Sequence, residues 1–237
     1  RLYEKENIPV TLVGHSLLDK PISSLARDVA LRIYNLNPER ELIALLPGSR
    51  SHEVKRLLPI MVEATHLIRM QLPNAQFVLP LAPGLNLTEL EAMITPDILV
   101  LDSHHEDILP HCDAAIVTSG TATLELALHE VPMIILYKFT PITYQLAKLF
   151  IRVDNFGLCN IVNERPMAKE LLQSEVTPQA ISQEVVRLIR DEPYRNQILT
   201  EFKAMRAKLG TPGASAKVAS LANELLGVNP RQILSFR

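Results

Sequence analysis

Apolar and polar positions along this chain follow two rhythms. Residues 8–14, 41–47, 75–81, 97–102, 114–119 and 132–137 are short, nearly continuous apolar runs. Runs of that length without alternation predict parallel strands covered on both faces. Between them the apolar residues recur at helical spacing. The clearest case is Glu53 to Leu72, where Val54, Leu57, Leu58, Met61, Ala64, Ile68 and Leu72 share one face and Pro73 stops the helix. Leu124, Ala127 and Leu128 give a second helix its core face. From about Thr177 onward the pattern is helical only, over 178–191, 193–209 and 215–226. Strand–helix alternation of this kind predicts an α/β fold with a doubly wound parallel sheet and helices on both faces.

Two junctions repeat one grammar. In LLPGSRSHEV (45–54) and in AAIVTSGTATLELAL (114–128), an apolar run ends in a small, hydroxyl-bearing glycine turn and a helix follows at once. In open α/β sheets ligands bind beyond the carboxyl ends of the strands, where these turns fall. Gly48 permits close backbone approach, Ser49 can cap the helix, and Arg50 adds a planar cation suited to phosphate. Ser119, the N-cap candidate of the second helix, Gly120 and Thr121 offer hydroxyls and amides at that helix start. Glu125, four residues after Thr121, shares its helix face and can accept hydrogen bonds from ribose hydroxyls. Each turn alone also reads as an ordinary capped junction. Together they point to a phosphate-bearing nucleotide, although neither a GxxxxGK[ST] nor a GxGxxG motif is present.

Composition narrows the ligand and the compartment. A net charge of −2 provides no field for nucleic acid, so none is expected as a partner. Cys112 and Cys159 match no metal or redox spacing and read as buried free thiols. The seven histidines form no ligand motif, so neither a metal nor any other cofactor is expected. No apolar run approaches the roughly 18 residues of a membrane span. The chain starts at Arg1 rather than Met and carries no signal-peptide pattern, so it reads as a piece of a longer protein.

VTLVGHSLLD (10–19), LLPGSRSHEV (45–54), SGTATLELAL (119–128), PMIILYKFTPITYQLAKLFI (132–151) and LCNIVNERPMAKELLQ (158–173) follow one another in this order. In that order they resemble the lipid-A-disaccharide synthase family, inverting glycosyltransferases of the GT-B type. The resemblance covers nearly the whole chain. It implies a Rossmann-like domain, the donor-binding half of a GT-B fold, over residues 8–209. Residues 1–7 would end an interdomain linker, and 210–237 would form a C-terminal helix and tail crossing toward an N-terminal domain. The implied reaction joins UDP-2,3-diacylglucosamine to 2,3-diacylglucosamine 1-phosphate, giving a β-1,6 disaccharide 1-phosphate and UDP.

The resemblance also implies residue roles. Gly48, Ser49, Arg50, Ser119, Gly120 and Thr121 would belong to the UDP site, and Glu125 would hold the ribose. Tyr137, Asn160, Glu170 and Gln173 would line the donor pocket. This chain has Cys159 where the family usually has Pro, and Leu136-Tyr137-Lys138 where it often has GYR. The catalytic base would lie in the N-terminal domain, so no catalytic residue is named here. The expected setting is the bacterial cytoplasm, at the cytoplasmic face of the inner membrane, with peripheral attachment. KFTPITYQLAKLFIRV (138–153), a basic amphipathic stretch, fits that surface and also fits an ordinary core helix. Val218, Leu221, Leu225 and Leu226 form an apolar stripe that must fold back, fray or self-associate into a homo-oligomer. Two alternatives stand beside this reading: another UDP-sugar enzyme, such as a UDP-N-acetylglucosamine 2-epimerase, and a non-catalytic nucleotide-binding module.

Overall fold

The computed structural model describes residues 6–21, 23–102, 105–139, 157–163 and 165–226. The chain divides into two compact units, residues 22–206 and a smaller one of residues 1–21 with 207–237. Most of the basic amphipathic stretch 138–153 lies outside the described residues.

Among the described residues the larger unit carries six strands: β1 (Leu42–Leu46), β2 (Gln76–Pro80), β3 (Ile98–Leu101), β4 (Ala114–Thr118), β5 (Met133–Tyr137) and β6 (Lys169–Leu172). They pair in the order β3-β2-β1-β4-β5-β6, all parallel. The helices are α1 (Arg27–Ile33), α2 (Ser51–Gln71), the short α3 (Leu87–Leu90), α4 (Thr121–Leu128), α5 (Leu158–Asn163), α6 (Pro178–Arg190) and α7 (Glu192–Leu209). Leu42, Ile43, Ala44 and Leu45 of β1 and Ile134, Ile135 and Leu136 of β5 are wholly buried. Successive residues point to opposite faces, so both faces of the sheet are covered, as the unbroken apolar runs require. α2 buries Val54, Leu57, Leu58, Met61, Ala64 and Ile68, the stripe read from its periodicity, and packs along α6.

The base of the sheet is held by one guanidinium. Arg27 donates to the carbonyls of Pro38 (3.0 Å) and Arg40 (2.9 Å), to that of His111, and to Asp113 Oδ2 at 2.8 Å. The same Asp113 oxygen accepts from the Leu42 amide at 2.8 Å. The entrances to β1 and β4 are thereby locked together at the end opposite the glycine turns.

One strand expectation is corrected, and one strand was not expected. Residues 8–14 form no strand, and among the described residues no strand pairs with them. Pro9 lacks a ladder donor, and Ile8, Val10 and Leu12 are 49%, 52% and 93% exposed, so the run buries no face. The sixth strand is Lys169–Leu172 instead, an edge strand. Its polar first half, Lys169-Glu170, hid it from an apolar-run criterion and suits a sheet edge.

In the smaller unit the last helix, α8 (Ala214–Leu225), starts at a left-handed Gly213 with no cap of its own. Asp19 supplies it. Its carboxylate accepts from the amides of Gly213 (2.5 Å), Ala214 (3.2 Å) and Ser215 (2.8 Å). Those bonds, the Ser215 amide first, hold its pKa at about 2 rather than 3.8. Val218, Leu225 and Leu226 of the apolar stripe stand 52%, 89% and 73% exposed. A carboxyl whose folded pKa is depressed stabilises above its unfolded value and loses that contribution as pH falls through the folded one. We therefore expect α8 to fray selectively between pH 4 and about 2. Asp19→Ala should fray it at neutral pH, seen as severalfold faster hydrogen exchange at the amides of residues 213–217 with α2 unchanged. Equal exchange in wild type and variant would show that α8 starts without this cap.

Candidate nucleotide site

The strand order reverses direction between β1 and β4, and both glycine turns leave these two adjacent strands. Leu46 pairs with Val117, so the turns emerge side by side at the carboxyl edge. A bulge-free parallel register thus builds the crevice where open α/β sheets take ligands.

In the first turn Gly48 has φ +119°, a conformation that only glycine adopts without strain. A Cβ there would lie 3.2 Å from Thr118 Cγ2 of the neighbouring strand and 2.9 Å from Glu53 Oε2. Ser49 is exposed and is not the cap: α2 begins at Ser51, and Arg50 takes the N-cap position without a side-chain cap bond. The extended backbone reaches one residue further than the Ser49 assignment assumed. Arg50 projects outward, 72% exposed, and pairs with Glu53 Oε1 at 2.8 Å.

In the second turn Ser119 is likewise not the cap. Its amide donates to Leu136 O at 3.2 Å, continuing the sheet pattern, and Gly120 is the N-cap. A Cβ on Gly120 would meet nothing within 4 Å, so open space lies before the helix start. Thr121 is exposed on that rim, and Glu125 is half-buried one turn further into α4. Thr123 is turned inward, its hydroxyl donating to Gly120 O at 2.8 Å. The amides of Thr121 and Ala122 lie in the first turn of α4, where no intrahelical acceptor exists.

Beside these turns β5 ends at Tyr137, whose ring meets Phe139 edge-on at 4.3 Å. Burial, and then the Glu53 carboxylate, push the Tyr137 phenol up. Arg56 of α2 donates to Lys138 O at 3.0 Å and ties the helix to the end of β5. β6 pairs Leu172 with Tyr137, which brings Gln173 to the same edge. Gln173 has φ +52°, a strained value for a non-glycine residue, and its Nε2 is buried without a hydrogen-bond partner.

Asn160 and Glu170, the latter half-buried, are bonded to each other. Asn160 is fully buried. Its Nδ2 donates to Ala168 O (2.8 Å) and Glu170 Oε1 (2.6 Å), and its Oδ1 accepts from the amides of Met167 (2.8 Å) and Ala168 (3.0 Å). Glu170 Oε1 also accepts from the Gly157 amide at 2.9 Å. A Cβ on Gly157 would lie 2.5 Å from Ile135 Cδ1, so the α5 entrance runs flush against β5. Cys159 packs here, its thiol pushed up to about 12 by burial. The sheet edge therefore gathers Gly48, Arg50, Ser119, Gly120, Thr121, Tyr137 and Gln173, while Asn160 and Glu170 are bonded to each other at the α5–β6 junction.

Sequence reading missed Glu53 and Gly157. Glu53 was legible as an i,i+3 partner of Arg50 in the first turn of α2. Gly157 carries no local signal, since its requirement comes from Ile135, 22 positions away. Among the described residues no group of three or more His, Cys, Asp and Glu side chains comes together, and no helix is long and apolar enough to cross a membrane.

Because both donors and both acceptor positions of Asn160 are used internally, Asn160→Asp should be severe. It removes two donors and sets a carboxylate against Glu170. The expected loss is about 2–3 kcal/mol, read as a lower urea midpoint. A midpoint within error of wild type would show that the α5–β6 junction tolerates rearrangement.

The Lipid-A-disaccharide synthetase family model matches residues 1–222. The lipid-A-disaccharide synthase of Coxiella burnetii (strain Dugway 5J108-111) is 42% identical over 226 residues, covering 95% of this chain and 60% of that protein. The chain thus spans about three fifths of the length of the curated relative it matches. Among solved structures, a Neisseria meningitidis UDP-GlcNAc 2-epimerase bound to UDP-GlcNAc superposes with a TM-score of 0.58 at 13% identity, over 93% of this chain and 58% of that one. The calicheamicin glycosyltransferase CalG4 gives 0.52 at 17% identity, over 79% and 43%. At those identities the structural likeness establishes the fold, a Rossmann-like sheet shared by GT-B glycosyltransferases and epimerases. The match over residues 1–222, the 42% identity, and the two glycine turns set side by side on β1 and β4 lead to one conclusion: the chain belongs to the lipid-A-disaccharide synthetase family.

Proposed function

We propose that this chain is the donor-binding part of a lipid-A-disaccharide synthase, a hexosyltransferase. The full protein would transfer 2,3-diacylglucosamine from UDP to the 6-hydroxyl of 2,3-diacylglucosamine 1-phosphate. The observation that carries the reading is the family match over residues 1–222, with PGSR and SGTATLE meeting at the strand-order reversal. On this reading the acceptor oxygen attacks the anomeric carbon and the bond to UDP breaks, its electron pair passing to the diphosphate.

The residues of this chain act on that leaving group. Arg50 and the first-turn amides of α4 hold the diphosphate and stabilise its growing charge without a metal. Ser119, Gly120 and Thr121 bound the phosphates, Glu125 takes the ribose hydroxyls, and Tyr137 and Gln173 line the donor. Gln173 Nε2, buried and without a partner, is a donor held for a ligand oxygen. Asn160 and Glu170 position the β6 edge. The base that removes the acceptor proton is assigned to the part of the longer relatives that this chain does not span. The 7/8 and 209/210 domain boundaries, peripheral attachment at the cytoplasmic face of the inner membrane, and any homo-oligomer belong to the same proposal. The epimerase alternative has only the fold in its favour.

Calorimetric titration of the 237-residue chain with UDP in EDTA tests the reading. Binding at or below millimolar UDP is expected, and no binding in that range overturns the nucleotide site. In the full-length enzyme, Arg50→Ala should lose roughly 1.5–3 kcal/mol per charge-assisted bond, roughly tenfold to hundredfold in kcat/KM. Arg50→Lys should recover only part, since it keeps the charge and loses the planar fork. A kcat/KM within about twofold of wild type for a folded Ala variant would make Arg50 a solvated turn residue.

A further inference from the structure

We infer that the Glu53 carboxylate is the resident anion of the diphosphate site, held by the protein in the absence of ligand and displaced from Arg50 when the ligand's phosphates arrive. The inference rests on the nucleotide reading above and adds a competitor inside the site. Glu53 is the third residue of α2, within the first helical turn, where the helix end favours negative charge. One of its oxygens accepts from Arg50 Nη1 at 2.8 Å. The other lies 2.9 Å from where a Gly48 Cβ would stand, in the space that the glycine leaves empty. The carboxylate therefore uses the cation and the hollow that would otherwise receive a phosphate oxygen. Arg50 is 72% exposed, and Glu53 is its one ion-pair partner among the described residues. The field of Glu53 also reaches Tyr137 across the crevice.

Two consequences follow from charge alone. A phosphate entering the crevice must part Arg50 from Glu53, so the affinity for a diphosphate is lower than the site could give. As the diphosphate leaves, Glu53 retakes Arg50, which speeds release of the charged product. Both effects scale with phosphate charge and spare the nucleoside.

The test is UDP titration of the 237-residue chain and its Glu53→Gln variant, with Glu53→Ala as the second variant should Gln lower the melting temperature. The neutral variants should bind UDP about three- to tenfold more tightly, through slower dissociation. In an Arg50→Ala background the same exchange should give a smaller gain, because no guanidinium is left to release. Weaker UDP binding by Glu53→Gln would overturn the inference and make Glu53 a residue that orients Arg50 for its ligand. Equal affinity, or a gain undiminished without Arg50, would overturn it too. If wild type binds UDP, the nucleotide reading stands whichever way the variants fall. If none of the proteins binds UDP, that reading fails and this inference with it.

Discussion

The parallel pairing of β1 with β4 is the constraint on which the rest of this site depends. These strands run consecutively in space while their chain neighbours β2 and β3 stack on the far side, so the sheet grows outward in two directions from one seam. Helices leaving the seam diverge, and a crevice opens without any residue being placed to make it. The register then decides the chemistry. With Leu46 opposite Val117, the turn at Gly48 and the turn at Gly120 finish level. A slip of one residue would turn every strand side chain to the other face and separate them. Arg27 and Asp113 secure that register from the opposite end, where the bonds cost the site nothing.

The polar groups around the seam divide by their bonding. Beneath the rim each has its partners: Asn160 uses both donors and both acceptor positions, and Glu170 takes two of its bonds from Asn160 and Gly157. A buried amide so satisfied is rigid, because any movement leaves a donor or acceptor without a partner. At the rim the bonding loosens. Among the described residues Arg50 has one exposed ion pair, and Gln173 keeps a strained backbone and an amide nitrogen with no acceptor. Such strain persists where surrounding structure imposes it, here the pairing of Leu172 with Tyr137 immediately before. A braced interior beneath a loosely bonded edge suits a site that must hold its shape while exchanging one anion for another.

Much of the fold was legible because burial on both faces writes itself as continuous apolar runs. β1, β2, β3, β4 and β5, and the stripe of α2, follow from that rule alone. It failed where an apolar run had no partner and where a partnered run was not apolar. Residues 8–14 lie in the unit without the sheet, and only pairing, not composition, makes a strand. Lys169-Glu170-Leu171-Leu172 is half polar because it closes the edge. The two glycine turns were legible as motifs, but their adjacency was not, since it follows from strand order. Both cap assignments erred by one residue, the margin within which a helix start is set by backbone geometry rather than by residue type. The hydrogen bonds that join Asn160 to Ala168 and Glu170 span eight and ten positions and leave no local trace in the sequence.

The cap on α8 has a temporal side. Asp19 and the Gly213 amide are 194 positions apart. During synthesis at about 5–20 residues per second, Asp19 is made roughly 10–40 s before the amides it will bind. Through that interval the strands of the sheet are translated while Asp19 waits for the amides it caps. The smaller unit can thus close only after the segment that carries the sheet has been translated. A chain that stopped anywhere between would carry Asp19 without the helix it caps.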